Sequence, residues 1–136
     1  MTTRPADSSA QVYIRPAVTE DAPGVANLLA ALGYPCTPDE AALRLVNLRE
    51  EPEQQLWIAL EHDEAIAMIA IHIRYYLPLG ARTCRITALV VLEEFMGKGI
   101  GKRLLREAEM KARHAGATRV ELTTAMHREQ AHQFYR

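Results

Sequence analysis

Residues 88–112 constrain the fold more than any other stretch of the chain. Ala88-Leu89-Val90-Val91-Leu92 is apolar without a break, so a strand here needs cover on both faces. After Glu93 to Met96 come three alternate glycines, Gly97, Gly99 and Gly101. Ile100, Leu104, Leu105, Ala108 and Ala112 then recur at helical spacing and predict one buried stripe. The helix is expected from about Gly101 to His114, with Gly116 ending it. Thr118 to Thr124 (TRVELTT) reads as the next strand. Strand, glycine loop, helix and strand make a β-α-β unit.

The loop has its own chemistry. Glycines carry no Cβ and let successive backbone N–H groups point into one concavity. The helix start adds roughly half a positive charge at the same place. Lys98, Lys102 and Arg103 stand beside it. The pattern describes a phosphate or pyrophosphate site; the competing reading is a tight turn with no ligand. Two common nucleotide loops do not fit. A Walker A loop needs Ser or Thr after its lysine, where this chain has Arg103, and Gly97 lies one position too close. A Rossmann loop needs a third glycine where this chain has Leu104.

The remaining elements follow from periodicity. Gln11 to Arg15 (QVYIR) alternates as a short strand, after a polar tail over residues 1–10. A helix is expected over Ala22 to Leu32, with Val25, Leu28, Leu29 and Leu32 on one face and Gly33 ending it. Thr37-Pro38-Asp39-Glu40 starts a second helix with a capping box. Gln55 to Glu61 and Ala65 to Tyr76 read as strands joined by a polar turn at His62-Asp63-Glu64, and Arg82 to Leu92 as the strand after them. Arg128 to Arg136 begins a last helix. The order β-α-α-β-β-β-α-β-α predicts an α/β (α+β) fold with a mixed sheet and helices on both faces. At 136 residues this is one domain, spanning 11–136.

Composition narrows the functional classes. Sixteen Lys+Arg stand against 17 Asp+Glu, which gives no electrostatic footprint for nucleic acid or an anionic membrane. No apolar run reaches the length of a membrane span, and the start lacks the apolar segment of a signal peptide. Two cysteines, Cys36 and Cys84, form no secreted disulfide framework. A reducing, cytoplasmic location is the expectation. The five histidines show no metal-ligand spacing, so no metal site is expected.

Residues 84–136 resemble the core of the GNAT superfamily of acyl-CoA-dependent N-acetyltransferases. Met96-Gly97-Lys98-Gly99-Ile100-Gly101 matches that family's [QR]-x-x-G-x-[GA] signature except at its first position. Ile86-Thr87-Ala88-Leu89-Val90-Val91 resembles the fourth strand, and Ala131-His132-Gln133-Phe134-Tyr135 the A-x-x-F-Y segment on the fourth helix. With Leu32-Gly33-Tyr34-Pro35 and the element order, the likeness covers nearly all of the chain after Ala10. It implies acetyl-CoA as acyl donor and an amine as acceptor. The amides of Gly97, Lys98, Gly99, Ile100 and Gly101, with Met96 and Lys102 adjacent, would hold the pyrophosphate. Leu89 and Val91 would pair their backbone with the pantetheine arm. An N–H near Leu89 or Val90 would polarise the thioester carbonyl. Tyr135 would protonate the departing thiolate. The implied reaction is direct attack by the amine in a ternary complex, without metal or covalent enzyme intermediate.

The chain departs from that pattern in places. Met96 stands where Arg or Gln is usual, and Thr87 where many relatives carry a carboxylate. Glu121, His127 and His132 are the candidate bases. Tyr34, Arg74, Tyr75 and Tyr76 are candidates for lining the acceptor pocket, with Cys36 near it. The end at Arg136 falls inside the last helix, short of the two further strands of relatives. Three readings of that end stay open: a domain truncated at its C-terminus, a sheet edge completed by another copy in a homodimer, and a degenerate relative; an uncovered edge strand makes self-association a testable expectation. A non-catalytic acyl-CoA-binding or regulatory module is the alternative function.

Overall fold

Alternation and capping place the elements where periodicity puts them. A computed structural model describes residues 11–122. The expected tail and last helix, with His127, His132 and Tyr135, lie outside the described residues. The strands are β1 (Tyr13–Pro16), β2 (Gln54–Glu61), β3 (Glu64–Tyr76), β4 (Ala81–Val91) and β5 (Ala117–Leu122); the helices are α1 (Ala22–Leu32), α2 (Pro38–Leu48) and α3 (Ile100–His114). They form one sheet in the order β1-β2-β3-β4-β5. The first three pairings are antiparallel and β4–β5 is parallel.

Local chemistry explains the ends. Thr37 Oγ1 accepts from the Glu40 N–H at 3.1 Å, and Glu40 Oε1 accepts from the Thr37 N–H at 2.8 Å. This reciprocal pair starts α2 as expected. Gly33 ends α1 at φ +108°, a conformation that favours glycine. The β2–β3 turn is tighter than the sequence suggests: Glu61 pairs with Glu64, and only His62 and Asp63 turn, both at positive φ. β1 begins at Tyr13 rather than Gln11 and runs on through Pro16.

The sheet separates two apolar layers. On one face α3 buries Ile100, Leu104, Leu105, Ala108 and Ala112 against Ile69, Ile71, Ile86, Leu89 and Val91. On the other, α1 and α2 bury Val25, Leu28, Leu32, Ala41 and Leu45 against Ile58, Leu60, Met68 and Val90. Neighbouring residues Leu89 and Val90 thus serve opposite cores, which is why the run around them is apolar throughout.

Two bulges set the phase of these faces. Between Ala59↔Ala67 and Leu60↔Ala65, Ile66 is an extra residue on β3. Between Ala70↔Ala88 and Ile71↔Ile86, Thr87 is an extra residue on β4. An extra residue interrupts the period of two. Cys84 and Ile86 face the α3 core before the bulge, and Leu89 and Val91 face it after.

Candidate functional site

β4 runs from the middle of the sheet into the glycine loop. The Leu92 N–H donates to the Ile66 carbonyl at 2.9 Å. That bond fixes the alternation of the antiparallel ladder, with Ala67↔Val91 and Ile69↔Leu89 as non-hydrogen-bonded pairs. Val90 therefore exchanges backbone bonds with Met68. Leu89 and Val91 turn their N–H and C=O groups away from β3. On that side β5 pairs with β4 only as far as Ile86, opposite Leu122. Among the described residues, the Leu89–Val91 edge has no strand partner. Of the two N–H groups expected to polarise a carbonyl, Val90's is committed to the ladder; Leu89's faces the open edge. The Thr87 hydroxyl donates to the Ala70 carbonyl at 3.3 Å and so is tied into the bulge.

The open edge leads to the glycines. Gly97 and Gly99 both adopt φ +81°, and a Cβ at either would meet nothing within 4 Å. Gly99 is the N-cap of α3, and no side chain caps it. The first backbone bond of the helix runs from the Arg103 N–H to the Gly99 carbonyl at 3.1 Å. The N–H groups of Ile100, Gly101 and Lys102 precede it and point out of the helix end. Unfilled space in front of glycines, uncapped amides and a positive helix end together fit a pyrophosphate.

The basic side chains are less concentrated here than the sequence suggests. Lys102 is exposed. The Lys98 ammonium lies over the Phe95 ring, 5.5 Å from its centroid. Arg103 Nη2 donates to the Val12 carbonyl at 2.9 Å, tying α3 to the segment before β1. Met96 packs against the α3-side core. The backbone, rather than a ring of cations, defines the loop.

The candidate acceptor residues do not converge. Tyr34 is exposed in the loop between α1 and α2. Tyr75 and Tyr76 are exposed at the far end of β3, where Tyr76 pairs with Ala81. Tyr76 stands seven positions beyond Ile69, the partner of Leu89, or roughly 23 Å along a strand. Arg74 lies between, on an exposed position. Glu121 Oε1 is 3.5 Å from Arg85 Nη2 and its Oε2 is 3.1 Å from Arg119 Nη1, so its carboxylate bridges two guanidiniums. Cys36 packs against the α1–α2 core, and burial pushes the Cys84 thiol up to about 11. A buried, protonated thiol is a packing residue rather than a nucleophile.

Two features escape the sequence pattern: the Thr87 bulge, and the pairing of His72 with Arg85 across β3 and β4, which places both on the face shared with Arg74. Period-two alternation joins His72 to Arg74, but only register brings Arg85 opposite.

The described residues thus form a two-core mixed sheet whose fourth strand feeds a glycine-lined helix start. The model of the acetyltransferase (GNAT) family matches residues 23–136, and the chain belongs to that family. It is 35% identical over 127 residues to an aminoalkylphosphonate N-acetyltransferase of Salmonella typhimurium, covering 90% of this chain and 80% of that protein. A GNAT family acetyltransferase from Staphylococcus aureus matches in structure with TM-score 0.78 at 23% identity, over 84% of this chain and 87% of that one. A transcriptional regulator from Bacillus halodurans matches with TM-score 0.80 at 24% identity, over 91% and 89%. At those identities the structural likeness carries the fold alone.

Proposed function

We propose that the chain transfers an acetyl group from acetyl-CoA to the primary amine of a small molecule, by direct attack in a ternary complex. The observation that carries this is the Leu89–Val91 edge, unpaired among the described residues and continuous with the glycine loop. The 35% identical relative, named for an aminoalkylphosphonate, supports a small, amine-bearing acceptor.

Each part of the chain has a distinct task. Acetyl-CoA supplies the activated thioester. The loop amides from Gly97 to Lys102 hold its pyrophosphate, and the Leu89 and Val91 backbone pairs with its pantetheine arm as an added strand would. The Leu89 N–H donates to the carbonyl oxygen where charge develops, a contribution typically worth about 10²–10³ in rate. The acceptor's nitrogen forms the new C–N bond as the C–S bond breaks. Tyr135, outside the described residues, gives its proton to the thiolate, and the amine's surplus proton returns through solvent to the tyrosinate.

The test follows free thiol as full-length protein meets acetyl-CoA and a panel of amines. Turnover with at least one amine is expected. Tyr135→Phe is expected to lower kcat by about 10²-fold or more while the acetyl-CoA Kd from calorimetry holds. Binding of acetyl-CoA without turnover of any amine would overturn catalysis and leave an acyl-CoA-binding module.

A further inference from the structure

We propose that Arg85 and His72 form an anion-binding pair that selects an acceptor whose amine is tethered to a phosphonate. This rests on the acetyl-transfer reading and names the substrate class of the same site.

His72 and Arg85 are direct partners in the β3–β4 register. Both lie on the α1–α2 side of the sheet, because their neighbours Ile71, Ile73, Cys84 and Ile86 all face the α3 core. Arg85 makes one ion pair, at 3.5 Å to Glu121, and no hydrogen bond to a described residue. Its side chain is 55% exposed, so most of its donor fork is open. His72 Nε2 lies 3.5 Å from Glu53 Oε1, which leaves Nδ1 for a ligand. Arg74 is two positions along the same face and has no ion-pair partner among the described residues. Arg119 shares Glu121 with Arg85. Three guanidiniums thus face two carboxylates, and the patch is net positive.

The floor between this pair and the open edge is made of small residues. Ala70 and Ala88 pair in the next row, with Thr87 bulged beside them, and both alanines are half-buried. On that face these two rows of β3 and β4 carry no large side chain between the pair and Leu89. Arg85 precedes Leu89 by four positions, roughly 10–13 Å along a strand. An extended arginine covers about half of that, and a two-carbon amine spans much of the remainder. A phosphonate presents three oxygens to a guanidinium fork, a geometry that lysine cannot match.

The experiment compares 2-aminoethylphosphonate with propylamine as acceptors, and measures phosphonate binding by calorimetry independently of turnover. Wild-type protein should prefer the phosphonate by at least about tenfold in kcat/KM. Arg85→Gln should reduce that preference about ten- to hundredfold, mainly through KM. Arg85→Lys should restore it only in part. Arg113→Gln, at an exposed position of α3, should leave it intact. A wild type that does not prefer the phosphonate, or an Arg85→Gln that impairs both amines alike, would overturn the inference. If neither amine is turned over, the wider amine panel decides the acetyl-transfer reading on its own. The anion site then stands if Arg85→Gln removes phosphonate binding, and falls if wild-type protein binds no phosphonate.

Discussion

Gly24 of α1 sits against Ala65 of β3 so closely that a Cβ built on the glycine would lie 2.7 Å from the alanine Cβ. Ala65 is the residue just before the Ile66 bulge, so the helix rests on the point where β3 changes phase. In an ordinary exposed helix, replacing glycine by alanine stabilises by about 1 kcal/mol. Here overpacking wins. Gly24→Ala is expected to destabilise by about 1–3 kcal/mol, read from urea unfolding. Adding Ala65→Gly should recover most of the loss, because it removes the opposing Cβ.

Gly99 and Gly116 share nearly the same backbone, φ +81° and +84°, and a Cβ on either meets nothing within 4 Å. Each alanine substitution should therefore cost about 1–2 kcal/mol of stability through the left-handed conformation. Only Gly99→Ala places a methyl group before the α3 amides. It is expected to weaken acetyl-CoA binding at least about tenfold, while Gly116→Ala leaves that affinity unchanged. Equal effects of the two on affinity would argue against the loop as the pyrophosphate site.

Thr87 contributes a hydrogen bond and a residue count, and the two separate experimentally. Thr87→Val removes the bond to the Ala70 carbonyl and should cost about 1 kcal/mol, with the bulge retained. Deleting Thr87 makes Ile71↔Ile86 and Ala70↔Ala88 consecutive pairs, so the ladder regains an unbroken period of two with Cys84, Ile86, Leu89 and Val91 still on the α3 face. The deletion is expected to keep cooperative unfolding, which circular dichroism on heating would show, and to lose only the local bend and twist of the bulge.

Asp21 links β1 to the start of α1. Arg15 donates to both of its carboxylate oxygens at 2.9 Å, and the Val18 N–H donates at 2.7 Å. Burial pushes the Asp21 carboxyl up, but the Arg15 hydrogen bonds, the Val18 amide and the Arg15 charge together hold it below its ordinary value. A lowered folded pKa adds stability above the unfolded value of about 3.9, and that stability is lost as pH falls through the folded value. Asp21→Asn should be less stable than wild type by about 1.5–3 kcal/mol at pH 7. The two unfolding curves should converge as pH drops below about 4.

Much of the architecture was legible before the coordinates. The boundaries of α1, the capping box at Thr37 and Glu40, and the α3 stripe from Ile100 to Ala112 each follow from local chemistry: helical period, a capping side chain, a stopping glycine. The candidate site was legible only in its backbone part. Glycines at 97 and 99 announce positive φ because other residues resist it. Tyr75 and Tyr76 stand at the far end of β3 from Leu89, a separation that only the β3–β4 register discloses.

Local chemistry is enough to set the order of the described elements, the β-α-β unit and the glycine-lined helix start, because these depend on interactions within a few residues. Strand pairing sets the rest: which way the Leu89 backbone turns and which side chains share a face with it or with Arg85. The reason is phase. An apolar run such as Ala88–Leu92 fits either register, and only the extra residues at Ile66 and Thr87, defined by pairing with other strands, assign Leu89 to the open edge and Arg85 to His72. Those pairings join residues distant in sequence, so no local pattern encodes them.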